Sequence, residues 1–92
     1  MTMPEGSTWN EQELLSRARA GEFASFGILV RHYQARLSAL AFQLTGSADD
    51  AAEAVQETFL RALRSLAQFQ QKAAFYTWLV RILMNHVHDT RA

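Results

Sequence analysis

Residues 46–66 read GSADDAAEAVQETFLRALRSL and contain both a helix boundary and an amphipathic helix. Gly46 can adopt the left-handed conformation that ends a helix, and the Ser47 side chain can accept a hydrogen bond from the first free amides of the next one. Asp49 and Asp50 follow at the positive end of that helix. The apolar residues then recur at steps of three and four, which predicts a core stripe of Ala52, Val55, Phe59, Leu63 and Leu66.

A longer helix is predicted before this boundary, from about Glu22 to Thr45. Its main apolar stripe consists of Phe26, Leu29, Tyr33, Leu37, Leu40 and Leu44. A narrower stripe lies on roughly the opposite side and consists of Ile28, Ala35, Ala39 and Phe42. Because both sides carry apolar residues, we expect this helix to pack on both sides as the central element of a bundle.

Two further helices complete the predicted fold. A short one spans about Asn10 to Ala20, where Gly21 can end it, and the last runs from about Phe75 to near the end of the chain. Gln68–Ala74 breaks the pattern and predicts a loop, and residues 1–9 predict a flexible lead-in. No stretch has the pattern of a strand. We therefore expect an all-α fold, a small helical bundle of three long helices plus a short N-terminal helix, with one domain over residues 10–92.

The composition limits the class of protein. A chain of 92 residues without cysteine fits one modest core and offers no disulfide or thiolate metal site. No apolar run approaches the length needed to cross a bilayer, and residues 1–10 lack the pattern of a signal peptide. We therefore expect a cytoplasmic protein without membrane insertion.

The net charge is zero but is unevenly distributed. Residues 1–60 hold four basic and eight acidic side chains, whereas residues 61–92 hold five basic side chains and one acidic side chain. Only the C-terminal third is therefore suited to phosphate. Such segregation is equally consistent with ordinary solvated helix faces.

One face of the third predicted helix points away from its core stripe. It carries Glu53, Gln56, Glu57, Leu60, Arg61 and Arg64. Leu60 lies near the middle, as an apolar anchor does within the polar rim of an interface. Isolated exposed leucines are common, however, and Glu57 with Arg61 makes an ordinary i, i+4 surface pair. The residues alone favour this simpler interpretation.

The last predicted helix also has two sides. Phe75, Trp78, Leu79, Ile82 and Leu83 cover one, and Thr77, Arg81, Met84, Asn85, His88 and Arg91 share the other. The second side could contact DNA, and Tyr76 could stack on an unpaired base. Alternatively it is a solvated face whose cations complement the helix dipole. His86 falls on the apolar arc, where we expect a hydrogen-bonded core histidine rather than a ligand.

The sequence gives little support to catalysis. Glu53 and Glu57 share a helix face, but no histidine has metal-ligand spacing beside them, and His86 and His88 point about 200° apart on a helix. The chain has no glycine-rich phosphate loop and no nucleophile–base pair. We therefore expect no enzyme, no catalytic residue, no metal site and no cofactor.

Three ordered segments resemble one family. Residues 49–62, DDAAEAVQETFLRA, are similar to the acidic start and V-Q-E-[TA]-F-[LI]-[RK]-A pattern of bacterial ECF (extracytoplasmic function) sigma factors. Residues 74–82, AFYTWLVRI, resemble the family's S/A-F-x-T-W-L-x-R-I, and Asn85 falls where the family usually keeps Asn. Upstream, residues 21–26 and 30–34 resemble its G-[DE]-x-x-A-F and V-x-x-[YH]-Q segments. The resemblance implies region 2 of a sigma factor.

This resemblance implies two macromolecular partners. The third helix would dock on the coiled-coil clamp of the largest subunit of core RNA polymerase, through Gln56 and Glu57 and through Glu53, Leu60, Arg61 and Arg64 on the same face. The loop before the last helix would capture a flipped base of the promoter minus-ten element on the non-template strand, and that helix would contact the duplex upstream. By position, the DNA-binding residues would be Phe69, Gln70, Gln71, Lys72, Tyr76, Thr77, Arg81, Asn85 and His88.

The loop departs from the family pattern. The family commonly has F-R-G-[DE], whereas this chain has Phe69-Gln70-Gln71-Lys72. An alternative hypothesis is therefore a protein-interaction module that keeps polymerase or anti-sigma binding but has lost promoter reading. The resemblance also implies an anti-sigma factor as a partner. The chain does not continue into the family's second helical domain, which reads the minus-thirty-five element, so we expect either an excised domain or an unusually short relative.

Overall fold

The computed structural model describes residues 10–70 and 74–91, which form one helical bundle. The helices are α1 (Glu11–Arg19), α2 (Phe23–Thr45), α3 (Ala48–Arg64) and α4 (Phe75–Arg91), and a short 3-10 turn spans Leu66–Gln68. No strand forms within the described ranges, so the predicted all-α fold is confirmed. The predicted lead-in, residues 1–9, lies outside them.

Local capping chemistry sets the helix boundaries. The Asn10 side chain accepts a hydrogen bond from the Glu13 amide at 3.0 Å, and the Ser47 hydroxyl accepts one from the Asp50 amide at 3.2 Å. Gly46 ends α2 with φ of 72°. A side chain at this backbone angle would be strained, which is why glycine is favoured there. These predicted boundaries are confirmed.

Residues from all four helices meet in a single core. In α2 the predicted main stripe is confirmed: Phe26, Leu29, Tyr33 and Leu37 are buried, whereas Leu40 and Leu44 are half-buried at its edge. In α4 the buried residues are Phe75, Leu79, Leu83 and Val87. Four aromatic rings contact the Phe75 ring, with centroid distances of 5.8 to 6.5 Å: Phe26, Tyr33, Phe69 and Trp78. The start of α4 is therefore anchored in the core.

The second stripe predicted on α2 is wrong. Ile28 is 40% exposed and Phe42 is 52% exposed, and Ala35 and Ala39 are exposed between them. The core lies on the opposite side of α2, where α1, α3 and α4 pack against it. A domain of this size has no further layer of described structure to cover the other side.

The core side of α3 differs from its predicted stripe. Ala52 is exposed and Leu63 is half-buried, whereas the buried residues of this helix are Ala51, Ala54, Val55, Thr58, Phe59 and Ala62. Thr58 can be buried because its hydroxyl donates to the Ala54 carbonyl at 2.8 Å. The prediction was wrong at Ala52 because it extended the line of the large residues Val55 and Phe59 back to Ala52, whereas the side that packs also includes Ala51, Ala54 and Ala62.

No helix in the described part of the chain is long and apolar enough to cross a membrane.

Candidate functional site

The outward face of α3 carries an exposed leucine among paired charges. Leu60 is 44% exposed. The Glu57 carboxylate accepts hydrogen bonds from Arg61 Nε at 3.0 Å and from Arg64 Nη2 at 3.4 Å. The Arg61 hydrogen bond, helped by the charges of Arg61, Arg64 and His86, holds the pKa of Glu57 below its ordinary value despite partial desolvation. Glu53 and Gln56 are exposed on the same face.

An apolar groove of about 460 Å³ runs beside this face, between α2 and α3. Its lining residues are Phe26, Val30, Gln34, Ser38, Ala52, Val55, Gln56, Phe59, Leu60 and Leu63. Leu60 and Gln56 therefore border a concave surface rather than a flat one. The sequence prediction missed the α2 side, although Val30, Gln34 and Ser38 recur at steps of four and so share one face.

The outward face of α4 is polar and lies along one side of the helix. Thr77, Arg81, Met84, Asn85 and His88 are all exposed, as predicted from the helical pattern. Within the described residues Arg81 has no ion pair. Arg81 is therefore a cation available to an anionic partner. The side chain of Arg91, which the pattern placed on this face, lies outside the description.

The two faces meet at a second groove, of about 440 Å³, between α3 and α4. It is lined by Arg61, Arg64, Ser65, Gln68, Trp78, Ile82 and Asn85. Two arginines assigned from sequence to the α3 face thus lie beside Asn85 of the α4 face. The helical period of each helix taken alone could not predict that these residues lie together, because their proximity depends on how α3 and α4 pack.

Phe69, one of the predicted DNA-binding residues, has a buried side chain. Its side chain is 7% exposed, and its ring stacks on Trp78 at 4.7 Å between centroids. The ring therefore packs in the core, and its predicted contact with DNA stays a prediction. Gln70, the next residue, is exposed. The predicted residues Gln71 and Lys72 lie outside the described residues.

Tyr76 is half-buried and packs against other parts of the protein. Its ring stacks on Tyr33 at 5.4 Å, and the Arg36 guanidinium carbon lies 4.0 Å from its centre. Tyr33 is itself tied to α1, because its hydroxyl donates a hydrogen bond to the Glu11 carboxylate. Burial, with this bond, raises the pKa of Tyr33 above its ordinary value.

His86 is half-buried, which agrees in part with the predicted core position. The predicted hydrogen bond is not found at its Nδ1 atom. That atom is buried and has no hydrogen-bond partner among the described residues. His86 lines a pocket of about 270 Å³, whose other lining residues are Thr45, Asp50, Glu53, Ala54, Val87 and Thr90. Histidine and acidic side chains do not come together in threes as a possible metal site anywhere in the described part.

The geometry defines a small helical domain with two neighbouring outward faces, one on α3 and one on α4. Residues 29–92 match the Sigma-70 region 2 family. The chain is similar to a solved structure of an engineered region 2 of sigmaE in complex with GTAAAA. The TM-score is 0.84 and the identity 31%, over 94% of this chain and 90% of that one. The chain therefore belongs to the Sigma-70 region 2 family.

Curated relatives agree with this assignment. The chain is 37% identical over 75 residues to the RNA polymerase sigma-H factor of Pseudomonas aeruginosa. It is 39% identical over 75 residues to the ECF RNA polymerase sigma-E factors of Haemophilus influenzae and Escherichia coli. Each match covers 82% of this chain and 39% of the relative. The chain thus spans about two-fifths of the length of the curated relatives it matches.

Proposed function

We propose that this domain acts in bacterial transcription initiation, by binding core RNA polymerase and by recognising and opening the promoter minus-ten element. The observation that carries the proposal is the likeness to a region 2 domain solved in complex with GTAAAA, which extends over 90% of that domain. In this proposal residues 10–92 work as one domain in the cytoplasm, and the domain acts through binding energy rather than through catalysis.

The α3 face is the proposed polymerase-binding surface. Leu60 and the neighbouring α2–α3 groove offer an apolar contact, and Gln56 and Glu57 offer polar partners around it. This combination of an apolar centre and a polar rim is typical of protein interfaces. The clamp of the largest polymerase subunit is the proposed partner, and an anti-sigma factor is a proposed competitor for the same surface.

The α4 face is the proposed DNA-binding surface. Arg81, which forms no ion pair with a described residue, supplies a cation for phosphate, whereas Thr77, Asn85 and His88 can exchange hydrogen bonds with bases or backbone. Gln70 stands exposed where the loop begins. Unstacking a base costs a few kcal/mol, which contacts to a single strand must offset.

Two binding measurements test the proposal. Fluorescence anisotropy with single-stranded DNA containing GTAAAA should show binding at least about tenfold tighter than to the complementary strand. Purified core polymerase should retain the chain in a pull-down. Core binding without preference for GTAAAA would contradict promoter reading, whereas failure of both measurements would contradict the proposal as a whole.

A further inference from the structure

Arg19, the last residue of α1, connects that helix to a distant part of the chain. Its Nε donates to the Leu66 carbonyl at 3.2 Å, and its Nη2 donates to the Phe69 carbonyl at 2.8 Å. The acceptors lie 47 and 50 residues further along the sequence. The guanidinium carbon also lies 5.8 Å from the centre of the Phe69 ring.

The Leu66 carbonyl belongs to the first residue of the 3-10 turn, and the Phe69 carbonyl belongs to the residue that ends it, where the chain leaves regular structure. Carbonyls at a helix end lack partners within the helix and carry partial negative charge, so a cationic donor there is favourable. The Leu66 carbonyl also accepts the Phe69 amide at 3.1 Å, which closes the turn. Arg19 thus fixes two peptide groups at the start of the loop.

The peptide held by Arg19 also packs against the beginning of α4. The Phe69 ring stacks on Trp78 at an interplanar angle of 26° and meets the edge of Phe75 at 5.8 Å. Phe75 and Trp78 belong to the first turn of α4. The Arg19 guanidinium therefore holds the residue whose ring packs against the first turn of α4 and whose carbonyl leads into the loop.

We infer that Arg19 is a positioning residue for single-stranded DNA, an inference that rests on the proposed function. It holds the backbone of Leu66 and Phe69 so that Gln70 and the exposed side of α4 meet one strand in a preset geometry. A segment ordered before binding loses less conformational entropy on binding, which increases affinity without any new contact. Arg19 need not touch DNA for this role.

The test compares Arg19→Gln with Arg17→Gln in the full chain. Arg17 lies on the same helix, but its hydrogen bond is to the exposed Glu13 at 2.8 Å. With single-stranded DNA containing GTAAAA as the probe, we expect Arg19→Gln to raise the Kd about tenfold and Arg17→Gln to change it by less than about twofold. Arg19→Lys, which keeps the charge and can still reach one carbonyl, should give an intermediate Kd.

Two further readouts separate positioning from stability. Arg19→Gln should keep its affinity for core polymerase within about twofold, because the α3 face is untouched. Leu37→Val, at a fully buried core position of α2, should lower the Tm yet leave DNA affinity unchanged. Parallel losses of polymerase and DNA binding, or an equal DNA loss in Leu37→Val, would overturn the inference.

The outcomes also distinguish this inference from the proposed function. If the wild-type chain binds the oligonucleotide and Arg19→Gln binds it equally well, the inference alone is overturned. If the wild-type chain does not bind it, the proposed DNA recognition is overturned and the inference with it. If Arg19→Gln does not fold, Arg19→Lys decides, since a wild-type Kd in that variant would show that the pair of carbonyl bonds is not needed.

Discussion

The helices α3 and α4 have the same length, 17 residues, but pack in different ways. The core side of α3 includes three buried alanines and a threonine, whereas that of α4 consists of a phenylalanine, two leucines and a valine. Small side chains let α3 approach its neighbours closely, while large side chains fill the space beneath α4. A hydrophobic pattern therefore describes the orientation of α4 better than that of α3.

The outward faces of the two helices differ just as clearly. On α3, the Glu57 carboxylate forms ion pairs with both Arg61 and Arg64, at 3.0 and 3.4 Å, so these three charged groups interact with one another within the helix. On α4, Arg81 has no ion pair in the described structure. Each face carries one large exposed apolar residue, which is Leu60 on α3 and Met84 on α4. We therefore expect α3 to bind mainly through apolar contact and α4 mainly through charge.

The largest expected effect concerns the anchor of α4. Phe75→Ala should reduce the free energy of unfolding by about 3–5 kcal/mol, because the ring is 1% exposed and its removal leaves a cavity. Urea denaturation followed by circular dichroism measures the change. Phe23→Ala is the matched control, since Phe23 is 64% exposed and should cost less than about 0.5 kcal/mol. Equal losses would mean that α4 is not held by this ring.

The second prediction tests whether the two exposed apolar residues have different partners. Leu60→Asp should weaken binding to core polymerase about a hundredfold, because it places a charge at the proposed apolar centre. Met84→Asp introduces the same charge at a similarly exposed position, 48% against 44%, and should leave polymerase binding nearly unchanged. Interferometry with purified core enzyme measures both, and circular dichroism checks helicity. Similar losses in the two variants would remove the distinction between the faces.

The third prediction concerns charge on α4. Arg81→Gln should weaken binding to single-stranded DNA containing GTAAAA about fivefold, and should reduce the slope of log K against log salt by about 0.7. The control is Arg31→Gln, which removes an exposed arginine from α2 instead. Titrations at several salt concentrations give the slope. An unchanged slope in Arg81→Gln would mean that Arg81 does not neutralise a phosphate.

Helix boundaries were predictable from sequence because their causes are local. The caps at Asn10 and Ser47 and the left-handed Gly46 act within a few residues along the chain. The outward position of Leu60 was predictable for a similar reason, since one helical period determines it. Ile28 and Phe42 were not predictable in this way, because their exposure depends on how many other helices are available to cover α2.

The parts of the site that sequence could not give depend on contacts between distant residues. Arg19 donates hydrogen bonds to carbonyls 47 and 50 positions away, and no periodic pattern in the sequence predicts such bonds. The burial of Phe69 likewise depends on its contacts with Phe75 and Trp78, which belong to α4 on the other side of the loop. The break in the hydrophobic pattern predicted the loop, but the orientation of the Phe69 side chain could be seen only in the packed structure.

The smallest expected effect comes from the ion pairs of α3. Arg61 and Arg64 lower the pKa of Glu57, so the folded carboxylate loses its proton more readily than the unfolded one. This stabilisation is present above the unfolded pKa, near 4.5, and is lost as the pH falls through the lowered folded value. Glu57→Gln should therefore slightly reduce the Tm at pH 7, and the difference from wild type should shrink in acid and at high salt.

Glu53→Gln is the control, because Glu53 is exposed on the same face and forms no ion pair with a described residue. Thermal melts from pH 7 to about pH 3 measure both variants. A loss in Glu57→Gln that did not change with pH would mean that packing of the side chain, rather than its charge, stabilises α3, and the contrast with α4 would then rest on Leu60 and Arg81 alone.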